Sequence, residues 1–255
     1  MPTYTTLSAT ARLWRAVSRR QCIGALVAVG AVALLPWRPV AAQLPAAAAA
    51  SSAREPTTYA ELWQAAAVAV DQGEFERNEP LRTALYAKAT DYARRAVALN
   101  PGDAEGHFHL SRALGRTALA LGPRERVKLG IEVREQALAA LKLAPRHPGA
   151  LHVMGVWNAE IMRLNGIART VAKAFLGGRI FSTASWSEAV RYLELAVQVE
   201  PERLVHRLDL ARIYRDLDRT EDARAAYRAA VASADFDPND RVYRQQATEE
   251  LRRLK

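Results

Sequence analysis

The chain has almost no cysteine: one residue, Cys22, in 255. A single thiol excludes a disulfide framework and a cysteine-rich zinc site. Glycine (13) and proline (12) are too scarce for collagen-like or low-complexity sequence. Aromatic residues make up only 7%, and no polar strand-and-turn pattern recurs, which argues against a β-sandwich or barrel. What is present is ordinary for a globular chain. Half the residues are apolar and a quarter charged, enough to bury a core in one or two domains.

Acidic residues are missing altogether from residues 1–42, which hold five arginines. Arg12, Arg15, Arg19 and Arg20 precede a 14-residue apolar run, Cys22 to Leu35. A helix needs about 20 apolar residues to cross a bilayer, so the run fits the core of a secretory signal better than a permanent anchor. Pro36 and Pro39 break it, and Val40-Ala41-Ala42 offers small residues for cleavage near Ala42. The expectation is a signal peptide over 1–42 and an exported, periplasmic or secreted chain. The alternatives are an anchor at 22–35 or an organellar presequence. Removing the five arginines lowers the net charge from +9 to +4, too little to point to nucleic acid or a membrane surface. Residues 43–57, rich in Ala, Ser and Pro, read as a linker.

From residue 58 to 255 the pattern is helical. Apolar residues recur at spacings of three and four, and Ala, Leu, Arg and Glu dominate. Four segments end alike, at Pro101, Pro145, Pro201 and Pro238. Proline lacks the N–H that a continuing helix needs, so each closes the second helix of a unit. The spacing fits a helix–turn–helix repeat of about 34 residues carrying insertions. The last unit shows the tetratricopeptide pattern of small and large positions: Leu210-Ala211 and Tyr214 on one helix, Ala223, Tyr227 and Ala230 on the next. Alanine lets the helices approach, and leucine and tyrosine fill the space around them. Thr220 is expected to cap that second helix. Upstream, Ala189, Leu193 and Ala196 close one unit, Ala137 and Ala140 another, and Trp63, Ala66 and Ala67 pair with Ala89, Ala93 and Ala96. The predicted fold is all-α: a tetratricopeptide-like right-handed solenoid of about four helical pairs. An inserted helix over Leu164–Phe175 and a C-terminal capping helix from Asn239 complete it. Ser185 or Ser182 would cap the helix after the insertion.

His152-Val153-Met154-Gly155-Val156-Trp157 resembles an H-x-L-G-x-W element of the regulator of microtubule dynamics family. The segment Val171 to Leu176 is similar to that family's inserted helix, and Ser182 to Pro201 and Ala230 to Leu254 are similar to its following repeat and tail. The resemblance covers residues 104–255 well and 58–103 loosely. It implies an all-helical domain without enzymatic chemistry, in a family associated with microtubules or organelle membranes. The fold is carried over; the cellular role is not, because an export signal stands in place of the family's usual N-terminus.

Chemistry-bearing motifs are few. There is no Gly-rich phosphate loop and no H-E-x-x-H, and no serine has a histidine and an acid at a hydrolase spacing. His107 and His109 sit two apart on a helix and point to different sides. His147 and His206 are expected at the surface. No enzyme activity, cofactor or metal is expected. Stacked repeats instead offer a concave face built from their first helices. Its candidate residues are Phe108, Arg112 and Arg116, then His152, Val156 and Glu160, then Leu208, Arg212 and Arg215. Arg112, Arg116, His152, Val156, Arg212 and Arg215 are the candidate binding residues. Four arginines against one glutamate suggest a partly basic groove for a protein or peptide partner with acidic groups. The plainer reading is that these arginines pair with neighbours such as Asp209 and Asp216. The leading function is a non-enzymatic interaction scaffold. The alternative is a carrier of an apolar ligand or lipid, with the inserted helix as a lid over Trp157, Leu164, Phe175 and Phe181. No nucleic-acid partner is expected.

Overall fold

Thr58 opens the first helix with a reciprocal cap: its hydroxyl accepts from the Glu61 N–H, and the Glu61 carboxylate accepts from the Thr58 N–H. The computed structural model describes residues 54–121, 123–164 and 182–254. Among them are nine α-helices and no strand. They run α1 Tyr59–Glu74, α2 Glu79–Leu99, α3 Ala104–Leu119, α4 Pro123–Leu143, α5 Pro148–Arg163, α6 Trp186–Val199, α7 Leu204–Asp216, α8 Thr220–Ala232 and α9 Asp240–Arg253. Residues 1–42 and the inserted helix expected over Leu164–Phe175 lie, but for Leu164, outside the described residues. Residues Ala53–Lys255 form one compact unit.

Side-chain caps set the starts. Asn78, Asp103, His147 and Ser185 each accept a backbone N–H at the start of α2, α3, α5 and α6. Ser185, not Ser182, is the cap after the insertion. Thr220 is not a cap: it is the first residue of α8, and Arg219 before it turns its guanidinium to Asp222. The α7–α8 turn is made by Asp218 at φ 56, a left-handed position that aspartate tolerates better than most residues. The end of the expected linker is also tied down. Arg95 on α2 holds Glu55 at 3.0 Å and donates to the Pro56 carbonyl, so residues 54–57 belong to the folded body.

The helices pack as consecutive antiparallel pairs, α1 with α2, α3 with α4, α5 with α6 and α7 with α8. The first helices also touch one another in series, α1 to α3 to α5 to α7 to α9, and line the inner face. The alanines read from the repeat carry this packing: Ala66, Ala89, Ala93, Ala96, Ala137, Ala140, Ala189, Ala196, Ala211, Ala223 and Ala230 are all fully buried. Two large cores result, one around Leu62, Leu110, Leu114, Met154 and Trp157, the other around Leu193, Leu204, Leu208, Ile213 and Tyr227, with a small third one of Ala69, Val70, Ala89 and Ala113.

α9 covers the last pair through a charged hub. Glu250 accepts from Arg212 at 2.6 Å, from Arg215 at 3.0 Å and from the Tyr227 hydroxyl at 2.7 Å. Burial alone would raise the Glu250 pKa, but these three donors outweigh it and hold the carboxyl below its ordinary value. Glu250→Ala takes a carboxylate from the half-buried Arg212, which keeps Asp209 and Gln246, and leaves the Tyr227 hydroxyl without its acceptor. It should cost about 2–3 kcal/mol and loosen α9 selectively, read by faster amide exchange there than in α3.

The far end of α9 returns to the start of the chain. The Asn239 amide donates to the Asp71 carbonyl at 3.2 Å, and Phe75 meets Tyr243 edge to face at 5.2 Å. The first and last described helices are therefore in contact, and the stack curls far enough to close on itself.

Candidate functional site

The curl frames a half-open cavity of about 410 Å³ on the inner face, walled by α3, α4, α5 and α7 and backed by Tyr243 of α9. One side is apolar: Phe108, Val133, Val153, Val156, Trp157, Ile161 and Leu164. Trp157 is locked in place by its indole N–H, which donates to the Gly130 carbonyl at 2.7 Å. Gly149 makes room for the wall, since a Cβ there would lie 2.3 Å from the Phe108 ring.

The other side is polar. Four of the six candidate binding residues, Arg112, Arg116, His152 and Val156, line this cavity. Arg212 lies in an adjoining space of about 190 Å³, and Arg215 sits further out at the Glu250 hub. Leu208 is not on this face: it is fully buried in the second core, and Val205, His206 and Asp209 face the cavity instead. A phase error of one position rotates a helical residue by roughly 100°.

The arginines do not make the face basic. Arg112 is 2.5 Å from Asp71, and Arg116 is 2.8 Å from Glu74, close but poorly aligned for a hydrogen bond. Arg212 pairs with Asp209 at 2.9 Å and with Glu250, while Arg215 pairs with Glu250 and Asp216. The sequence showed those arginines on one stripe but not the acids of α1 and α9 that meet them.

Histidines are the residues that sequence reasoning misplaced. His147 is not a surface residue: its Nδ1 accepts the Ala150 N–H as the cap of α5, which fixes the proton on Nε2, facing Glu105 at 3.2 Å. His206 is buried too, at 3% exposure, because α5 and α7 close over it. His109 stacks on Trp63 at 5.3 Å, with Nδ1 unpartnered. Burial pushes the His109 pKa down to about 3 and that of His206 down to about 4. Burial would raise the Asp209 carboxyl, but the His152 hydrogen bond and Arg212 outweigh it and hold it well below the usual carboxylate range. Among the described residues no group of three or more His, Cys, Asp or Glu side chains is placed to hold a metal ion.

Antiparallel helical pairs in series, small residues at every crossing and a cavity on the inner face define a tetratricopeptide-type repeat protein. A thermophilic tetratricopeptide protein from Thermus thermophilus shares the fold at a TM-score of 0.53, with 21% identity over 76% of this chain and 84% of its own. The chain belongs to the regulator of microtubule dynamics family, whose model (regulator of microtubule dynamics protein 1-3) matches residues 46–255. It is similar to the mouse regulator of microtubule dynamics protein 1, 24% identical over 141 residues, and to mouse protein 3, 24% identical over 193 residues. These matches cover 55% and 74% of this chain but only 46% and 40% of those relatives, so the chain spans less than half their length. The relatives are eukaryotic proteins named for microtubules, which are filaments of the cell interior. That overturns the expectation of an exported, periplasmic or secreted chain. The fold and the family are typical of non-enzymatic scaffolds.

Proposed function

We propose that the chain is a non-enzymatic protein-interaction scaffold that seats a short segment of a partner protein in the inner-face cavity, through one apolar side chain. The observation that carries this reading is the cavity itself. Its volume falls within the range of specific binding pockets, its floor is aromatic and aliphatic, and the arginines beside it are already paired. An acidic anchor would have to break an existing ion pair before gaining a new one, whereas an apolar anchor displaces only solvent. Arg112, Arg116 and His152 then shape the rim, and Val156 contacts the anchor. Among the described residues, the same pairing of charges argues against a nucleic-acid partner on this face.

A second reading rests on the same apolar wall. Trp157 and Leu164, two of the four residues expected around a lipid or other apolar ligand, do line the cavity. The other two, Phe175 and Phe181, lie outside the described residues.

Val156→Trp separates the readings, because the indole fills the cavity from a half-buried position. The variant should keep its melting temperature within a few degrees and lose a captured partner protein at least tenfold relative to wild type. Loss of a co-purified apolar small molecule in native mass spectra, with protein capture unchanged, would favour the carrier. If neither changed, the cavity would not be the binding site.

A further inference from the structure

Two imidazoles meet on the wall of the cavity. His206 Nε2 lies 3.0 Å from Glu200 Oε2, His206 Nδ1 lies 2.9 Å from His152 Nδ1, and His152 Nε2 lies 3.3 Å from Asp209 Oδ2. The ring centroids are 4.9 Å apart. The series runs carboxylate, imidazole, imidazole, carboxylate, and it joins α5 to α7 and to the turn before α7.

Each of the three contacts needs one hydrogen, and ionised carboxylates supply none. Glu200 and Asp209 both have pKa values below the ordinary carboxylate range. For Glu200, burial is outweighed by His206, and for Asp209, burial is outweighed by His152 and Arg212. The four ring nitrogens must therefore carry three hydrogens. Two neutral rings carry two, which leaves either opposed lone pairs at 2.9 Å or a lone pair against a carboxylate. Two imidazolium rings carry four, which sets hydrogen against hydrogen between the Nδ1 atoms. Only one cation beside one neutral ring satisfies every contact.

We infer that His152 and His206 form a proton-bound pair, with His152 the cation and His206 its neutral acceptor, and that this pair clasps α5 to α7 within a window of pH around neutrality. His206 is the neutral member because burial, which opposes its charge, outweighs the help from Glu200. The charged and titratable surroundings fit a single added charge. Glu200 and Arg203 face the pair from the turn and the cap before α7, Asp209 and Arg212 from α7, and His147 from the start of α5. Glu105, His109 and Arg112 of α3, Arg126 of α4 and Tyr243 of α9 line the same cavity. Arg203 leans on Asp237 at 2.8 Å and only approaches Glu200, at 4.0 Å, while Arg212 is shared between Asp209 at 2.9 Å and Glu250 at 2.6 Å, so the neighbouring arginines balance the two carboxylates of the series only in part. The clasp opens in both directions. Alkali strips the shared hydrogen, and acid adds a fourth.

The experiment uses the full chain with ring-¹⁵N histidine, of which there are five. At pH 7 the spectrum should show His152 protonated on both nitrogens, His206 on Nε2 alone, and a ¹⁵N–¹⁵N coupling between the two Nδ1 atoms across the shared hydrogen. His152→Gln and His206→Gln assign the signals. Should either variant fail to fold, the coupling in the wild-type chain still identifies the pair. Amide exchange at the starts of α5 and α7, corrected for its intrinsic pH dependence, should rise about tenfold or more at pH 5 and at pH 9, the worth of one charge-assisted hydrogen bond. Two neutral rings at pH 7, a cation on His206, no coupling, or a flat exchange profile would each overturn the inference.

Discussion

Leu193→Ala should lower the unfolding free energy by about 3 kcal/mol, and adding Gly155→Ala to that variant should recover about 1 kcal/mol of the loss. Leu193 is fully buried on α6, and its Cγ lies 2.6 Å from where a Cβ on Gly155 of α5 would stand. The same Cβ would come within 3.2 Å of the Ala189 carbonyl. In the wild-type background, Gly155→Ala therefore forces a leucine against a backbone it cannot leave. Overpacking of that kind costs about 1–3 kcal/mol, more than the roughly 1 kcal/mol that alanine gains over glycine within a helix. Once Leu193 is shortened, the methyl at 155 fills part of the void. Urea melts of the two single variants and the double variant close the cycle. Strict additivity would mean that α5 and α6 do not touch at this crossing.

Acid should unfold the chain well above the pH at which ordinary carboxylates titrate. His109 and His206 have folded pKa values of about 3 and about 4, both below the value of about 6.5 expected for an unfolded histidine. As pH falls below about 6.5 the unfolded chain binds two protons that the folded chain refuses, so stability declines from there down to about pH 3–4. Glu200, Glu250 and Asp209, all with lowered pKa values, add a loss of the same sign once the pH falls below about 4.5. Between pH 7 and pH 4 the two histidines together should remove on the order of 5 kcal/mol. His109→Phe keeps a ring on Trp63 and should remove about half of this acid sensitivity, read from denaturant midpoints at both pH values. An unchanged pH profile in that variant would show that His109 is not the buried neutral base described here.

The fold was legible because close helix packing writes itself into sequence as alanine at fixed spacing. Ala223, Tyr227 and Ala230, or Ala189, Leu193 and Ala196, could hardly serve any other purpose, and all six are fully buried. The site was less legible. Arg112 and Arg116 point to the inner face, as their stripe suggested, but Asp71 and Glu74, about 40 residues away in sequence, neutralise them, and no local spacing announces such a pair. His206 looked like a surface residue because its own helix is strongly charged. Its burial comes from α5, whose His152 lies 54 residues earlier in the sequence. The export signal misled for a different reason. A basic start followed by a short apolar run is a compositional cue, and composition does not distinguish one targeting route from another.

A row of stacked repeats ordinarily unravels from its tips, since each tip has a neighbour on one side only. Here Asn239 grips the Asp71 carbonyl, and Phe75 leans on Tyr243. That stitch removes the loose tips. Melting should then proceed as a single cooperative event, like the opening of a buckled belt, and deleting either terminal helix should weaken the opposite end as well as its own neighbour.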